Sequence, residues 1–221
     1  SAFWQRVAAP EVTAHVAAFE PPEQVVLADD DRLDLIAEAF GRVVDAKSPF
    51  TSRHSERVAE TGAGIGAILG LDTAELRDLR RAGLLHDLGK LGVPNIVLDK
   101  PGKLTPGEWE LMRRHPAYTA EVLAQVECLR PIAGTAASHH ERLDGSGYHR
   151  GLEAPALPLP ARILAVADVY DALARDRPYR AAMPAERVLA IIDADAGTRL
   201  DAESVAALRR LIDDASVDLA A

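Results

Sequence analysis

The sequence is short of cysteine, of aromatic residues and of long apolar runs, and each shortage narrows its class. Cys128 is the only cysteine among 221 residues, which excludes an intramolecular disulfide framework and a cysteine-based zinc site. No run of 18 apolar residues occurs, and no basic segment followed by an apolar one opens the chain. We therefore expect no membrane span and no signal peptide, and a reducing, cytoplasmic location.

The charge is negative overall but unevenly distributed. There are 34 acidic and 25 basic side chains, for a net charge of −9, which disfavours binding to the phosphates of long nucleic acids. Residues 1–41 (8 acids, 2 bases) and 201–221 (5 acids, 2 bases) hold the whole excess, whereas residues 42–200 hold 21 of each sign. The middle of the chain is therefore compatible with a small anionic ligand. Aromatic residues make up only 5%, so the stacking surface of a general nuclease is not expected either.

The pattern predicts an all-α fold. The chain has 40 alanines, which favour helix, and it has no alternating run of β-branched residues that would indicate a strand. We expect residues 1–28 to form a short helix and linker from an upstream domain, with a break at Pro21-Pro22. Residues 29–215 would form one helical domain and residues 216–221 a tail.

Capping signals place the helices of that domain. Acidic residues 29–31 can begin a helix that presents one apolar face, made of Leu33, Ile36, Phe40 and Val43 or Val44. Thr51 can begin a second helix that stops at Gly70, and capping boxes are expected at Asp72 with Glu75 and at Thr105 with Glu108. Further helices are expected at 116–126, 131–140, 159–174, 185–194 and 202–214, with loops at 91–104 and 141–158.

The informative polar residues are five histidines and two aspartates. They are His54, His86, Asp87, His115, His139, His140 and Asp168. Imidazole and carboxylate ligands together suit Fe, Mn, Zn, Co or Ni. Taken singly, a histidine is more often a surface or satisfied core residue than a metal ligand, and Asp168 alone would be an ordinary polar residue on a helix. Neighbouring residues in a helix point about 100° apart, so His86 and Asp87 can hold one ion only near a helix end, and Gly89 supplies such an end.

Several motifs in fixed order resemble the HD-GYP family, a subgroup of the HD metal-dependent phosphohydrolases. The likeness runs from about residue 31 to 210. It includes residues 53–59 around His54, residues 86–90, residues 100–105, Glu108-Trp109 with His115-Pro116, residues 139–148, and residues 161–164 leading to 168–173 and 177–180. The resemblance implies an HD-type helical bundle. Characterised members of the family hydrolyse the bacterial second messenger cyclic di-GMP.

The resemblance also implies a metal site built from all seven residues. His54, His86, Asp87 and Asp168 would hold one divalent ion, and Asp87 would bridge to a second held by His115, His139 and His140. Some relatives add a third metal through a Glu four residues before the first His. Here Phe50 stands at that position, so we predict two ions, with Fe or Mn favoured over Zn, Co and Ni.

A hydrolytic mechanism follows from this resemblance. Two ions would lower the pKa of a bridging water, and the resulting hydroxide would attack phosphorus, giving pGpG, with further cleavage to GMP left open. Lys90 would bind a phosphate oxygen or assist the leaving oxygen, Asp171 would orient a metal ligand or Lys90, and Arg177 and Arg180 would bind substrate phosphate. Asp171 and the two arginines are also consistent with a surface ion-pair cluster, and Lys90 with a helix cap.

The family signature Gly-Tyr-Pro reads Gly147-Tyr148-His149 here. Gly147 and Tyr148 are expected to contact substrate, with Arg142 and Asp144 bracing the loop by an ion pair, and His149 is either a ligand or a loop residue facing water. This departure leaves other substrates open: another cyclic dinucleotide, a nucleotide, or binding without turnover in a sensing or docking module. An upstream sensor or receiver domain and a homodimer are the expected partners beyond the cyclic dinucleotide.

Overall fold

The computed structural model describes residues 28–48, 53–175 and 182–218, with side chains as far as residue 214. The expected helix before Pro21-Pro22 and the cap at Thr51 lie outside these residues. The chain divides into two compact units, Ser1–Asp34 and Leu35–Ala221. In the described part of the first unit, the carboxylate of Asp29 accepts a hydrogen bond from the backbone N–H of Arg32 at 2.9 Å, as the capping prediction requires.

The described residues form ten α-helices. They are α1 (Asp30–Asp45), α2 (His54–Ile68), α3 (Thr73–Leu85), α4 (Asn95–Leu98), α5 (Pro106–Met112), α6 (His115–Gln125), α7 (Arg130–Ala136), α8 (Leu159–Ala174), α9 (Ala185–Asp195) and α10 (Ala202–Asp218). Three short 3₁₀ turns lie at Leu88–Gly92, Glu127–Leu129 and Ala154–Ala156. Within these residues β-structure is limited to isolated bridges, so the all-α prediction is confirmed.

The core is organised around α2 and α8. Helix α2 packs against α3, α8 and α10, and α8 also contacts α9. Residues 163–167 of α8 are buried on every side of the helix, which is the pattern of a central helix rather than a surface one. Two aspartates, Asp168 and Asp171, continue this buried stretch. Carboxylates are rarely buried without partners, so their position marks the place where a polar site enters the core.

The capping signals predicted the helix starts well. Asp72 with Glu75 and Thr105 with Glu108 both form complete capping boxes, at the start of α3 and α5. The ends of helices were predicted less accurately, as α7 shows: it stops at Ala136, whereas the expected helix ran to residue 140. The pair His139-His140 therefore follows the helix end. The expected loop 91–104 contains the single turn α4, and no helix in the described residues combines the length and apolarity needed to cross a membrane.

The predicted apolar face of α1 was only partly correct, because Val44 is buried but most of its other members are exposed. Ile36, Phe40 and Val43 are 39%, 48% and 56% exposed, whereas Ala37 and Gly41 are buried. The reason is close packing: a Cβ added at Gly41 would lie 3.0 Å from the main-chain oxygen of Leu84 in α3. Small residues let the two backbones approach. A pattern that follows large apolar side chains therefore selects a face about 100° away from the buried one.

Candidate metal centre

Three of the predicted metal ligands are histidines that share one local arrangement, in which each follows the end of a helix. Each ring places Nδ1 2.7 Å from a carbonyl oxygen three residues earlier, at the end of α3, α5 or α7. The bonds join His86 to Gly83, His115 to Met112 and His139 to Ala136. Carbonyls in the last turn of a helix have no intrahelical donor, and the ring N–H supplies one. Each ring is thereby oriented with Nε2 as the atom available to a metal, and the Nε2 atoms of His115 and His139 lie 3.1 Å apart.

His54, at the start of α2, is oriented by a carboxylate instead. Its Nδ1 lies 2.6 Å from Oδ2 of Asp171 in α8. The guanidinium of Arg57, one turn further along α2, donates to both oxygens of the same carboxylate at 2.5 and 3.0 Å. Burial raises the pKa of Asp171, but the hydrogen bonds from His54 and Arg57 outweigh it and lower the pKa to about 2.

Sequence reasoning missed Arg57. The only signal in the sequence is its position three residues after His54, on the same face of the helix. Its partner Asp171 lies on another helix, and sequence spacing does not report that contact. The two residues bind α2 to α8 beside the site.

The predicted ligands form two triads of side chains, and Asp87 lies between them. One triad is His54, His86 and Asp87, and the other is His115, His139 and His140. Oδ2 of Asp87 is 3.7 Å from Nε2 of His54 and 3.3 Å from Nε2 of His86. Oδ1 is 3.4 Å from Nε2 of His115 and 3.7 Å from that of His139. The two oxygens of one carboxylate therefore face different triads.

Asp168 also reaches both triads, which the sequence-based division of ligands did not anticipate. Oδ1 of Asp168 is 3.4 Å from Nε2 of His54 and 4.0 Å from Nε2 of His86. Oδ2 is 3.7 Å from Nδ1 of His140. Two carboxylates thus link the two halves of the centre.

The chemistry of these residues fits divalent metal ions. Nε2 of His86 and Oδ1 of Asp87 are buried and have no hydrogen-bond partner among the described residues. Buried polar atoms are seldom left unpaired, and both atoms point where an ion would satisfy them. Burial lowers the pKa of His115 to about 4 and that of His140 to about 3, so both imidazoles are neutral at pH 7 and can act as ligands.

Lys90 lies against the centre, as the sequence predicted. It occupies the 3₁₀ turn Leu88–Gly92 directly after Asp87, and its Nζ is 2.5 Å from Oδ2 of Asp87. Burial raises the pKa of Asp87, but His86, Lys90 and His115 outweigh it and hold the pKa well below its usual value. Asp87 is therefore ionised. Asp171 contacts His54 rather than Lys90 in the described contacts.

The loop that carries Gly147 and Tyr148 is packed tightly over the end of α7. A Cβ added at Gly147 would collide with the backbone of residues 140–142, so glycine is needed there for close approach. The buried carboxylate of Glu141 accepts hydrogen bonds from the backbone N–H groups of Arg150 and Leu152 at 2.8 and 2.9 Å. Glu141 therefore ties the far side of this loop to the helix end.

The expected ion pair between Arg142 and Asp144 was wrong. Asp144 faces Arg199 at 3.6 Å, and Arg142 donates to the carbonyl oxygen of Glu141. Asp144 and Arg199 are far apart in the sequence, and spacing along the chain does not show that they meet. His149 is half-buried and does not line the cavity above the metal centre.

A cavity of about 810 Å³ opens above the centre, within the usual range for small-ligand pockets. Its lining includes metal-site residues, four lysines and two aromatic residues. The lysines are Lys47, Lys90, Lys100 and Lys103, and the aromatic residues are Trp109 and Tyr148. Trp109 is 46% exposed, which is unusual for so large an apolar side chain and leaves ring surface open to a ligand.

All seven predicted ligands are thus in one place, with Lys90 beside them and Asp171 behind His54. Tyr148 lines the cavity. Arg177, Arg180, Phe50 and His15 lie outside the described residues, so their roles stay predictions.

Known proteins resemble this chain over most of its length. Residues 38–204 match the model of the HD domain family. The chain is 44% identical over 210 residues to the 3'3'-cGAMP-specific phosphodiesterase 3 of Vibrio cholerae, covering 95% of this chain and 46% of the relative. It is 43% identical to the cyclic di-GMP phosphodiesterase response regulator RpfG of Xanthomonas campestris, covering 77% of this chain and 46% of that one.

Solved structures agree with the fold. The crystal structure of the cyclic GMP-AMP specific phosphodiesterase V-cGAP3 of V. cholerae has a TM-score of 0.58 and 40% identity, covering 96% of this chain and 48% of that chain. The HD domain of L. monocytogenes PgpH, solved with cyclic-di-AMP, has a TM-score of 0.58 at 18% identity, covering 78% of this chain and 92% of that one, and shows the fold alone. The chain spans about half the length of the curated relatives it matches.

Proposed function

Because this chain belongs to the HD domain family, we propose that it is a metal-dependent phosphodiesterase acting on a cyclic dinucleotide. The observation that carries the proposal is the gathering of all seven predicted ligands in one cluster, five of which line an 810 Å³ cavity. A module that had lost catalysis would be expected to have lost ligands as well. Here every predicted ligand is present, and two carboxylates link the two triads.

We propose two divalent ions, Fe or Mn, one at each triad. When bound, such ions supply a nucleophilic water near neutral pH and neutralise charge on the phosphoryl oxygens. His54, His86, Asp87 and Asp168 would hold the first. His115, His139 and His140 would hold the second, with Asp87 shared between them.

The remaining polar residues would act on the substrate or on the ligands. Lys90 would bind a phosphate oxygen or hold a proton for the leaving oxygen, because its Nζ lies on the cavity side of Asp87. Asp171 would keep His54 in the tautomer that presents Nε2. Arg177 and Arg180 are proposed to bind a substrate phosphate through paired N–H groups.

The wall of the cavity suits a ligand that has both phosphates and bases. Lysines offer cations to phosphate, and the exposed indole of Trp109 offers a stacking surface to a nucleobase. We propose cyclic di-GMP as the substrate, cleaved to pGpG, and the product assay decides whether GMP follows. A relative covering nearly the whole chain is named for 3'3'-cGAMP, so this second dinucleotide belongs in the same experiment.

A product assay tests the proposal. The protein, loaded with Mn(II) or anaerobically with Fe(II), is incubated with cyclic di-GMP, 3'3'-cGAMP and cyclic di-AMP, and products are separated by chromatography. We expect linear dinucleotide from cyclic di-GMP. Faster cleavage of 3'3'-cGAMP would reassign the substrate, and tight binding without any product would replace the enzyme with a sensing module.

Paired variants make the assay specific to the proposed centre. Asp168→Asn removes one linking carboxylate and should abolish turnover. The matched control is Asp78→Asn, an exposed acid on α3 that makes only a long contact with Arg81. Equal activity in the two variants would place the chemistry elsewhere.

A further inference from the structure

One histidine of the centre differs from the other four in how its ring is held. His54 bonds through Nδ1 to Asp171, and three others bond to main-chain carbonyls. His140 has no ring hydrogen bond to any described residue, and Oδ2 of Asp168 is 3.7 Å from its Nδ1. Its side chain is 22% exposed, whereas those of the other four are at most 2% exposed. An interaction with a neighbouring ring takes this role, and the centroids of the His139 and Tyr148 rings lie 4.1 and 4.6 Å from that of His140.

Tyr148 supplies such an interaction. Its backbone N–H donates to the carbonyl oxygen of His140 at 3.2 Å, and its ring packs on the His140 ring with centroids 4.6 Å apart and planes 32° apart. The centroid separation is in the range of favourable aromatic pairs, and the two planes are tilted rather than parallel. The tight packing of Gly147 against residues 140–142 fixes the backbone from which Tyr148 projects.

Arg113, which follows α5, extends this arrangement to the cavity mouth. Its Cζ lies 5.4 Å from the centroid of the Tyr148 ring and 5.7 Å from that of the Trp109 ring. Both distances are within the range of cation–π attraction. Trp109, Arg113, Tyr148 and His140 therefore form one stacked series, which we call the aromatic column.

We propose that Tyr148 is a positioning residue that holds His140 in its metal-binding orientation by ring stacking, with Arg113 holding Tyr148. For the second triad the stack takes the place that hydrogen bonds take for the other histidines. The hydroxyl of Tyr148 has no part in this role. The inference rests on the proposed two-ion centre, but it does not depend on which nucleotide is hydrolysed.

The test measures metal binding without any nucleotide. Metal-free protein is titrated with Co(II), following the visible absorption bands and the number of ions bound. Tyr148→Leu should weaken the second equivalent by about tenfold and alter its absorption bands, since loss of a residue that orients a ligand typically costs this much affinity. Tyr148→Phe should bind as the wild type does. His140→Ala supplies the reference spectrum for a centre that lacks this ligand.

Tyr118→Leu is the matched control, because its ring lies against Gly92 and outside the cavity lining. It should leave both equivalents unchanged. Wild-type affinity and spectrum in Tyr148→Leu would overturn the inference, even if turnover fell, since that result would make Tyr148 a substrate contact. An equal loss in Tyr148→Phe and Tyr148→Leu would also overturn it, by assigning the effect to the hydroxyl. A protein that binds both ions normally but hydrolyses no dinucleotide would refute the proposed function alone.

Discussion

The floor and the wall of the cavity are built in different ways. In the floor, His86, Asp87 and Asp168 are at most 6% exposed, and helix ends and buried carboxylates orient the ligands. In the wall, Trp109 is nearly half exposed on α5, and Tyr148 projects from a loop and packs on His140. The difference teaches that helix ends and buried hydrogen bonds hold the floor, whereas the wall presents side-chain surface to the proposed substrate. Changes to the floor should therefore act on metal content and kcat and a change to Trp109 on KM, whereas Tyr148, which packs on His140, should act on metal binding as well.

The strongest test of this division is Asp87→Asn in the floor. The substitution removes the charge shared by both triads while preserving shape. The ions stabilise transition-state charge by several kcal/mol, so kcat/KM should fall by about 10³-fold or more. Metal analysis should give less than the wild-type content, with Asp78→Asn as the unaffected control. Full metal content together with a changed KM alone would break the division.

The next effect is expected behind the floor, at Asp171→Asn. The amide can still contact His54 but loses the charge that pairs with Arg57. We expect metal affinity to fall by about 10- to 100-fold, as is typical when a partner of a metal-binding histidine is changed. Titration with Mn(II) measures it. Affinity equal to that of the wild type would show that Arg57 alone positions the helix.

Trp109→Ala should act on the wall only. A stacked base is worth about 1–3 kcal/mol in comparable sites, so KM for the dinucleotide should rise by about tenfold or more. Metal content and kcat should stay as they are in the wild type. Trp109→Phe, which keeps a ring, should recover most of the lost affinity. A fall in metal content would mean that the wall supports the floor at this position as well.

The smallest effect concerns the stability of the metal-free floor as the pH changes. Burial lowers the pKa of His115 to about 4, so only the unfolded chain takes up this proton below pH 6.5, and stability is lost as the pH falls from 6.5 towards 4. Burial also lowers the pKa of His54, but Asp168, Asp171 and Asp87 outweigh it and raise the pKa to about 9. The stability that His54 contributes to the folded state is complete below pH 6.5 and is lost as the pH rises towards 9.

Urea unfolding of the metal-free protein should therefore show greatest stability near pH 6.5. Each group contributes a slope of about 1.4 kcal/mol per pH unit between its two pKa values. Replacing His115 with Gln should flatten the acid side only. Stability that rises steadily from pH 5 to pH 9 would contradict the assignment for His54.

The sequence predicted the floor far better than the wall. The adjacent polar pairs His86-Asp87 and His139-His140 are visible as motifs in the sequence, and the family resemblance carried by these motifs predicted that they meet. The contact between Asp171 and Arg57 could not be predicted from the sequence. It depends on how α2 and α8 pack, and the spacing of residues along one helix carries no information about another helix. The ion pair expected between Arg142 and Asp144 was wrong for the same reason.

The face of α1 shows a second limit. Large apolar side chains marked Ile36, Phe40 and Val43 as the core, but Ala37 and Gly41 face it. Small side chains give a weak signal in a hydrophobic pattern, although they allow the closest approach between helices. Composition still predicted the all-α class, because that inference depends on the whole chain and not on which face is buried.

The bonds from His86, His115 and His139 to the helix-end carbonyls have a consequence for metal exchange. Each ring is oriented by a hydrogen bond to the main chain that involves no ion. Removing the metal therefore leaves these three donors in place, and an incoming ion does not have to organise them. We expect reconstitution after chelation to be rapid and to need no refolding. The ion found in the protein should then follow the supply in the cell more closely than any selectivity of the folded chain.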